Sequence, residues 1–177
     1  LGKDVKADTF SSKPAGIEVQ YLMPGGSLYR AGINTGDVII SLDGKTVSDM
    51  EAFQNILLHI SPNTITSIGI YDIEGNTKII PIYISERPKN PGYEIYKKDI
   101  LANAFFPIFG MKLTPVDGSG KRFTVSEIIK GSTADESGFS VYDPIQIVKI
   151  QFPDDENVML AQLYTKKRKN GYFEVSI

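Results

Sequence analysis

Of the 177 residues, one side chain, His59, has an ordinary pKa close to neutral pH. A Ser-His-Asp relay would have to use it. It falls near the end of an apolar-periodic stretch, where a histidine is most simply a satisfied or solvent-facing helix residue. No Gly-x-Ser-x-Gly or Gly-Asn-Ser-Gly-Gly nucleophile turn is present. Serines and lysines are plentiful, but no motif singles out a pair for a dyad. The absence of cysteine excludes disulfides, thiol nucleophiles and thiolate metal sites. Asp154-Asp155-Glu156 reads as solvated charge at a helix start better than as a cation site. Gly118-Ser119-Gly120-Lys121 lacks the strand–loop–helix setting and spacing of a phosphate loop, and reads as a hairpin tip. The residues that could do chemistry therefore predict no catalysis, no cofactor and no metal.

The bulk numbers agree with a folded binding protein. Hydrophobic residues make up 41% and charged residues 23%, the balance of a globular chain. A net charge of −2 offers no general attraction to nucleic acid or anionic membrane, and the run Lys166 to Lys169 is too short to change that. No apolar run approaches the roughly 20 residues of a membrane helix. The chain begins at Leu1 and not Met, which suggests a fragment of a larger protein. Freedom from cysteine leans towards an extracytoplasmic setting, the periplasm or cell envelope.

The elements that position these residues come in two copies. Ile17–Ile39 aligns without a gap on Phe123–Ile145, an offset of 106 (123 minus 17). Val19 meets Val125, Gly25 meets Gly131, Gly32 meets Gly138, Asp37 meets Asp143 and Ile39 meets Ile145. These identities fall on turn glycines and strand faces in one order, as a diverged duplication requires.

Each window reads as strand, short helix, turn and strand. Ile17 to Leu22 begins with period-2 alternation, Pro24-Gly25-Gly26 breaks it, and Ser27 is placed to cap a short helix. Gly32 ends that helix; Val38 to Leu42 is a second strand, and Asp43-Gly44 a tight turn. Ser48 then caps a longer helix, Asp49 to His59, with Met50, Phe53, Ile56, Leu57 and Ile60 at helical spacing. Thr64 to Tyr71 and Thr77 to Ile84 form a hairpin. In the second copy, acidic residues 154–156 and basic residues 166–169 predict a helix between them, oriented to suit its dipole. Asn170-Gly171 would end it, leaving Tyr172–Ile177 as a single final strand. Residues 85–92, polar with two prolines, read as a linker, and Tyr93 to Phe106 as a short helix leading into the second domain.

The order Gly16 to Val19, Pro24 to Ser27 and Ala31 to Val47 resembles the bacterial form of the PDZ domain, most closely those of Deg/HtrA-type serine proteases. The second copy is degenerate: it lacks the Asp-Gly turn and has Tyr142 where the first has Gly36. The resemblance implies two α+β, mainly β, PDZ-like domains. Each would be a partly open β-barrel with one short and one longer helix in the circularly permuted bacterial arrangement. The expected boundaries are 1–86 for the first domain, 87–104 for a linker and 105–177 for a second domain lacking its last strand.

The resemblance also implies binding of C-termini or extended segments as an added strand beside a helix. An apolar-Gly-apolar loop would present backbone N–H groups to the terminal carboxylate. Phe109-Gly110-Met111 fits that loop, with Lys112 and Leu113 opening the strand behind it. In the first copy only Leu1-Gly2 is available, and Lys3 stands where an apolar residue is expected. Met50 and Gln54, and Val158 and Gln162, are the expected groove walls on the two longer helices. The expectation is a peptide-binding, regulatory module of a Deg/HtrA-like protease. The alternatives are a non-proteolytic envelope scaffold, or the PDZ part of another protease class.

Overall fold

A computed structural model describes residues 1–10, 12–152, 158–166 and 172–176. The chain divides into two compact units, Leu1–Arg87 and Pro88–Ile177.

The first unit contains β1 (Gly2–Val5), β2 (Gly16–Val19), α1 (Ser27–Arg30), β3 (Val38–Leu42), β4 (Lys45–Thr46), α2 (Met50–Leu57), β5 (Thr64–Tyr71) and β6 (Thr77–Ile84). Its sheet is antiparallel in the order β1-β2-β3-β5-β6, with β4 paired to β3. Asp43 (φ 53°) and Gly44 (φ 71°) both take the left-handed backbone that a two-residue hairpin turn needs. Asp49, not the expected Ser48, caps α2: its side chain accepts the Ala52 N–H at 2.8 Å, while the Ser48 hydroxyl donates to Asp49 Oδ2 at 2.7 Å. The carboxylate is the better cap because it meets the positive end of the helix with charge as well as a lone pair. Met50, Phe53, Ile56 and Leu57 of α2 pack on Ile17, Val19, Ile39, Leu42, Val47, Ile68 and Ile70.

The second unit opens with two helices, α3 (Pro91–Lys98) and α4 (Leu101–Phe109). Then follow β7 (Met111–Pro115), β8 (Arg122–Ile128), α5 (Thr133–Glu136), β9 (Pro144–Gln151), β10 (Leu160–Lys166) and β11 (Tyr172–Ser176). The sheet runs β11-β10-β9-β8-β7, all antiparallel. Both sheets are open, and neither closes into a barrel. Residues 87–104, expected as a linker, carry α3 and the start of α4. Leu101 and Ala102 pack on the second core, and Ala104 and Phe105 are fully buried.

The duplication holds bond by bond. Asp37 Oδ2 accepts the Asn34 N–H at 2.9 Å, and Asp143 Oδ2 accepts the Ser140 N–H at 2.8 Å. The Val19 N–H donates to the Asp37 carbonyl at 2.8 Å, and the Val125 N–H to that of Asp143 at 3.0 Å. Gly25 and Gly131, and Gly32 and Gly138, take matching positive φ values of 74°, 75°, 76° and 78°.

The expected helix of the second copy is corrected to a strand. Residues 160–166 form β10, paired on both sides, to β9 and to β11. The last strand is therefore the second of a hairpin and not a single one. Residues 153–157 and 167–171, expected at the ends of that helix, lie outside the described residues. Register measures what has changed. Ile39 opposes Ile70 in the first unit and Ile145 opposes Thr165 in the second. The offset thus falls from 106 (145 minus 39) to 95 (165 minus 70), so 11 residues are missing where α2 stands in the first copy. The apolar face lost with α2 is replaced from the other end of the sequence by α4, whose Phe105 and Phe109 join the second core.

Candidate peptide-binding site

In each unit the strand expected to receive a peptide lies at a sheet edge: β1 in the first, β7 in the second. An edge strand leaves a row of backbone donors and acceptors unpaired, the chemical requirement for adding a further strand.

The first unit brings Leu1, Gly2 and Met50 together and closes the gap between them. The Leu1 carbonyl accepts the N–H groups of Gln20 and Tyr21 at 3.0 and 3.2 Å, and Gly2 pairs with Val19. A Cβ on Gly2 would lie 3.2 Å from Met50 Cε and would overlap Ile17 Cγ2. The Met50 N–H at the start of α2 donates to Asp4 Oδ1 at 2.8 Å, tying the helix directly to β1. Gln54, one turn further on, is exposed. His59 is also exposed, its Nδ1 2.7 Å from the Asn55 carbonyl, the last-turn contact expected for a helix histidine.

In the second unit, Phe109 is the last residue of α4 and Gly110 its left-handed cap (φ 75°). The Gly110 N–H donates to the Phe106 carbonyl at 2.9 Å, and its own carbonyl accepts the Ile129 N–H at 2.9 Å. Phe109, Met111 and Leu113 are buried in the core. Lys112 points outward, with Nζ 3.9 Å from Glu127 and 5.7 Å from the Phe106 ring.

Val158 and Gln162, expected on one helix face, separate. Val158 precedes β10 in an extended, exposed position. Gln162 lies within β10, out of phase with the buried Ala161, Leu163 and Thr165, and so faces away from the core. Val158 and Phe109 do meet: both line a cavity of about 320 Å³, partly open to solvent, with Tyr93, Ile108, Phe152 and Met159 on its walls. Tyr93 and Tyr96 contact the Phe152 ring at centroid distances of 4.9 and 5.0 Å. These α3 contributions were missed because the segment was read as linker. The signal that could have found them is the helical spacing of Tyr93 and Tyr96, then of Leu101, Phe105 and Ile108.

Among the described residues there is no cluster of three or more metal-ligating side chains, and no helix is long and apolar enough to cross a membrane.

Comparison with known proteins follows this division. Residues 18–71 match a family model described as PDZ domain, and residues 92–177 one described as TP0546 family PDZ domain. The chain is 29% identical over 94 residues to a protein of Pseudomonas fulva named "Probable periplasmic serine endoprotease DegP-like", covering 53% of this chain and 19% of that protein. It is 29% identical over 131 residues to a protein of the same name from Buchnera aphidicola, covering 73% of this chain and 26% of that protein. The chain thus spans about a fifth to a quarter of the length of these relatives. A solved structure titled "HtrA-type protease AlgW with decapeptide" aligns with 25% identity and a TM-score of 0.43, over 49% of this chain and 28% of that one. Both units of this chain are PDZ domains, and in sequence the pair is similar to DegP-like serine endoproteases.

Proposed function

We propose that the chain is the substrate-capturing or regulatory part of an HtrA-like serine protease working outside the cytoplasm. In this reading the second domain takes an extended polypeptide onto the free edge of β7. The observation that carries it is the position of β7: an edge strand whose first residue follows directly on Phe109, a wall of the one apolar cavity that also includes Val158. Strand addition supplies affinity through backbone hydrogen bonds, and the cavity supplies selectivity for one apolar side chain. Residues 111–113 contribute backbone to that contact, Lys112 the exposed side chain, and Phe109 and Val158 the pocket. The first domain, with β1 tied to α2 through Asp4 and Met50, is assigned the supporting role. A single site of this kind holds peptides at about micromolar Kd, or roughly 8 kcal/mol. The periplasmic naming of the relatives supports the compartment.

The test is titration of the isotopically labelled chain with short apolar peptides, followed by amide NMR. Residues 111–115 are expected to shift and to gain protection from hydrogen exchange. Saturating peptide that leaves every β7 amide unmoved overturns the reading.

A further inference from the structure

We infer that the second domain recognises an apolar side chain within an extended segment and draws no preference from a free C-terminal carboxylate. This rests on the peptide-binding reading above and concerns the chemistry of the same site. A terminal carboxylate needs free backbone donors or a cation where the peptide ends. A peptide running antiparallel to β7 directs its C-terminal end towards Phe109 and Gly110, where β7 begins. There the Gly110 N–H is already donated to the Phe106 carbonyl at 2.9 Å as the cap of α4, and the Phe109 N–H belongs to the helix itself. Turning the Gly110 amide outward would unwind the end of α4, which holds Phe105 and Phe109 in the core. Among the described residues lining the cavity there is no lysine or arginine; the walls are Tyr93, Ile108, Phe109, Phe152, Val158 and Met159, with Asn90 and Thr133 polar but uncharged. In sequence, Asp154, Asp155 and Glu156 fall between the wall residues Phe152 and Val158. Three negative charges are thus tethered between two wall residues, and they repel a carboxylate. The site offers apolar contact and no compensation for an anion, so it selects an uncharged side chain from mid-chain.

The experiment compares three peptides sharing one apolar anchor sequence. One ends in a free carboxylate at the anchor, one is amidated there, and one continues for several polar residues beyond it. Two charge-assisted hydrogen bonds to a carboxylate would favour the free acid by about tenfold or more. The expected result is Kd values within about threefold of one another for all three, with the same β7 amides shifting. A larger preference for the free acid overturns this inference while leaving peptide binding intact. Failure of all three to bind overturns both. Val158→Asp, at an exposed wall position outside the core, is expected to weaken all three alike, and unchanged Kd values would overturn the cavity as their anchor site.

Discussion

The backbone N–H of Tyr142 donates to the Val125 carbonyl at 2.8 Å, the same bond that Gly36 makes to Val19 at 2.8 Å in the first domain. Both residues sit in the left-handed region, Gly36 at φ 95° and Tyr142 at φ 73°. Conservation of the turn has thus forced a tyrosine into a conformation that costs a Cβ-bearing residue about 1–2 kcal/mol. The Tyr142 side chain is 83% exposed, so little packing offsets that cost. Tyr142→Gly is expected to stabilise the second domain by about 0.5–1 kcal/mol after the greater chain entropy of glycine is subtracted. Gly36→Ala should destabilise the first domain by about 1–2 kcal/mol, its Cβ meeting Ile73 Cγ2 at 3.1 Å. Denaturant unfolding of each variant measures both; a destabilised Tyr142→Gly would refute the account of strain.

Two further glycines separate strain from crowding. Gly110 and Gly131 share φ 75°, but a Cβ on Gly131 meets nothing within 4 Å, whereas one on Gly110 would overlap Cβ and Oγ of Ser132. Gly131→Ala should cost about 1 kcal/mol. Gly110→Ala should cost at least about 1 kcal/mol more, because Ser132 caps α5 and cannot withdraw freely. Equal losses in chemical denaturation would show that the Ser132 contact relaxes without cost.

What could be read from sequence was whatever local rules decide. The turn glycines, the Asp-Gly hairpin and the period-2 strands from Ile17 to Leu42 declare themselves within a few residues. The second domain's hairpin did not. Leu160-Ala161-Gln162-Leu163-Tyr164-Thr165 fits either period, and the flanking acidic and basic runs imitate a helix dipole. Only pairing with β9 and β11, a long-range fact, makes it a strand and buries Thr165. The same limit hid the pocket. Val158 and Phe109 stand 49 positions apart (158 minus 109), and the third side of their cavity comes from α3, a segment whose prolines and charges read as linker.

The substitution of α4 for α2 fixes where the second domain must begin. A fragment starting at residue 105 retains Phe105 and Phe109 but loses α3 and the first half of α4, including Leu101, Ala102 and the fully buried Ala104. Circular dichroism should find a cooperative thermal transition for residues 88–177 and none for residues 105–177. Within the full chain, Phe105→Ala removes the largest fully buried side chain and should cost about 3–5 kcal/mol. Cooperative melting of the shorter fragment would show that α4 is an appendage to the core and not a replacement for α2.

Asp72 supplies a pH dependence confined to the first domain. It sits at the turn between β5 and β6, only 7% exposed. Lys78 pairs with its Oδ2, while the N–H groups of Asn76 and Glu74 donate to Oδ1 at 2.8 and 3.0 Å. The Lys78 hydrogen bond first, and those backbone donors after it, hold its carboxyl down at about 2. An unfolded aspartate titrates near pH 4, so the folded state binds the proton more weakly. The stability that ionised Asp72 contributes is therefore complete above about pH 4 and is lost as pH falls towards 2. Lys78→Met should move the Asp72 carboxyl up towards its ordinary value and shift that loss to higher pH. Side-chain carboxyl NMR titration reads this directly. An Asp72 resonance already titrating near pH 4 in the unmodified chain, or one unmoved by Lys78→Met, would remove Lys78 as the cause.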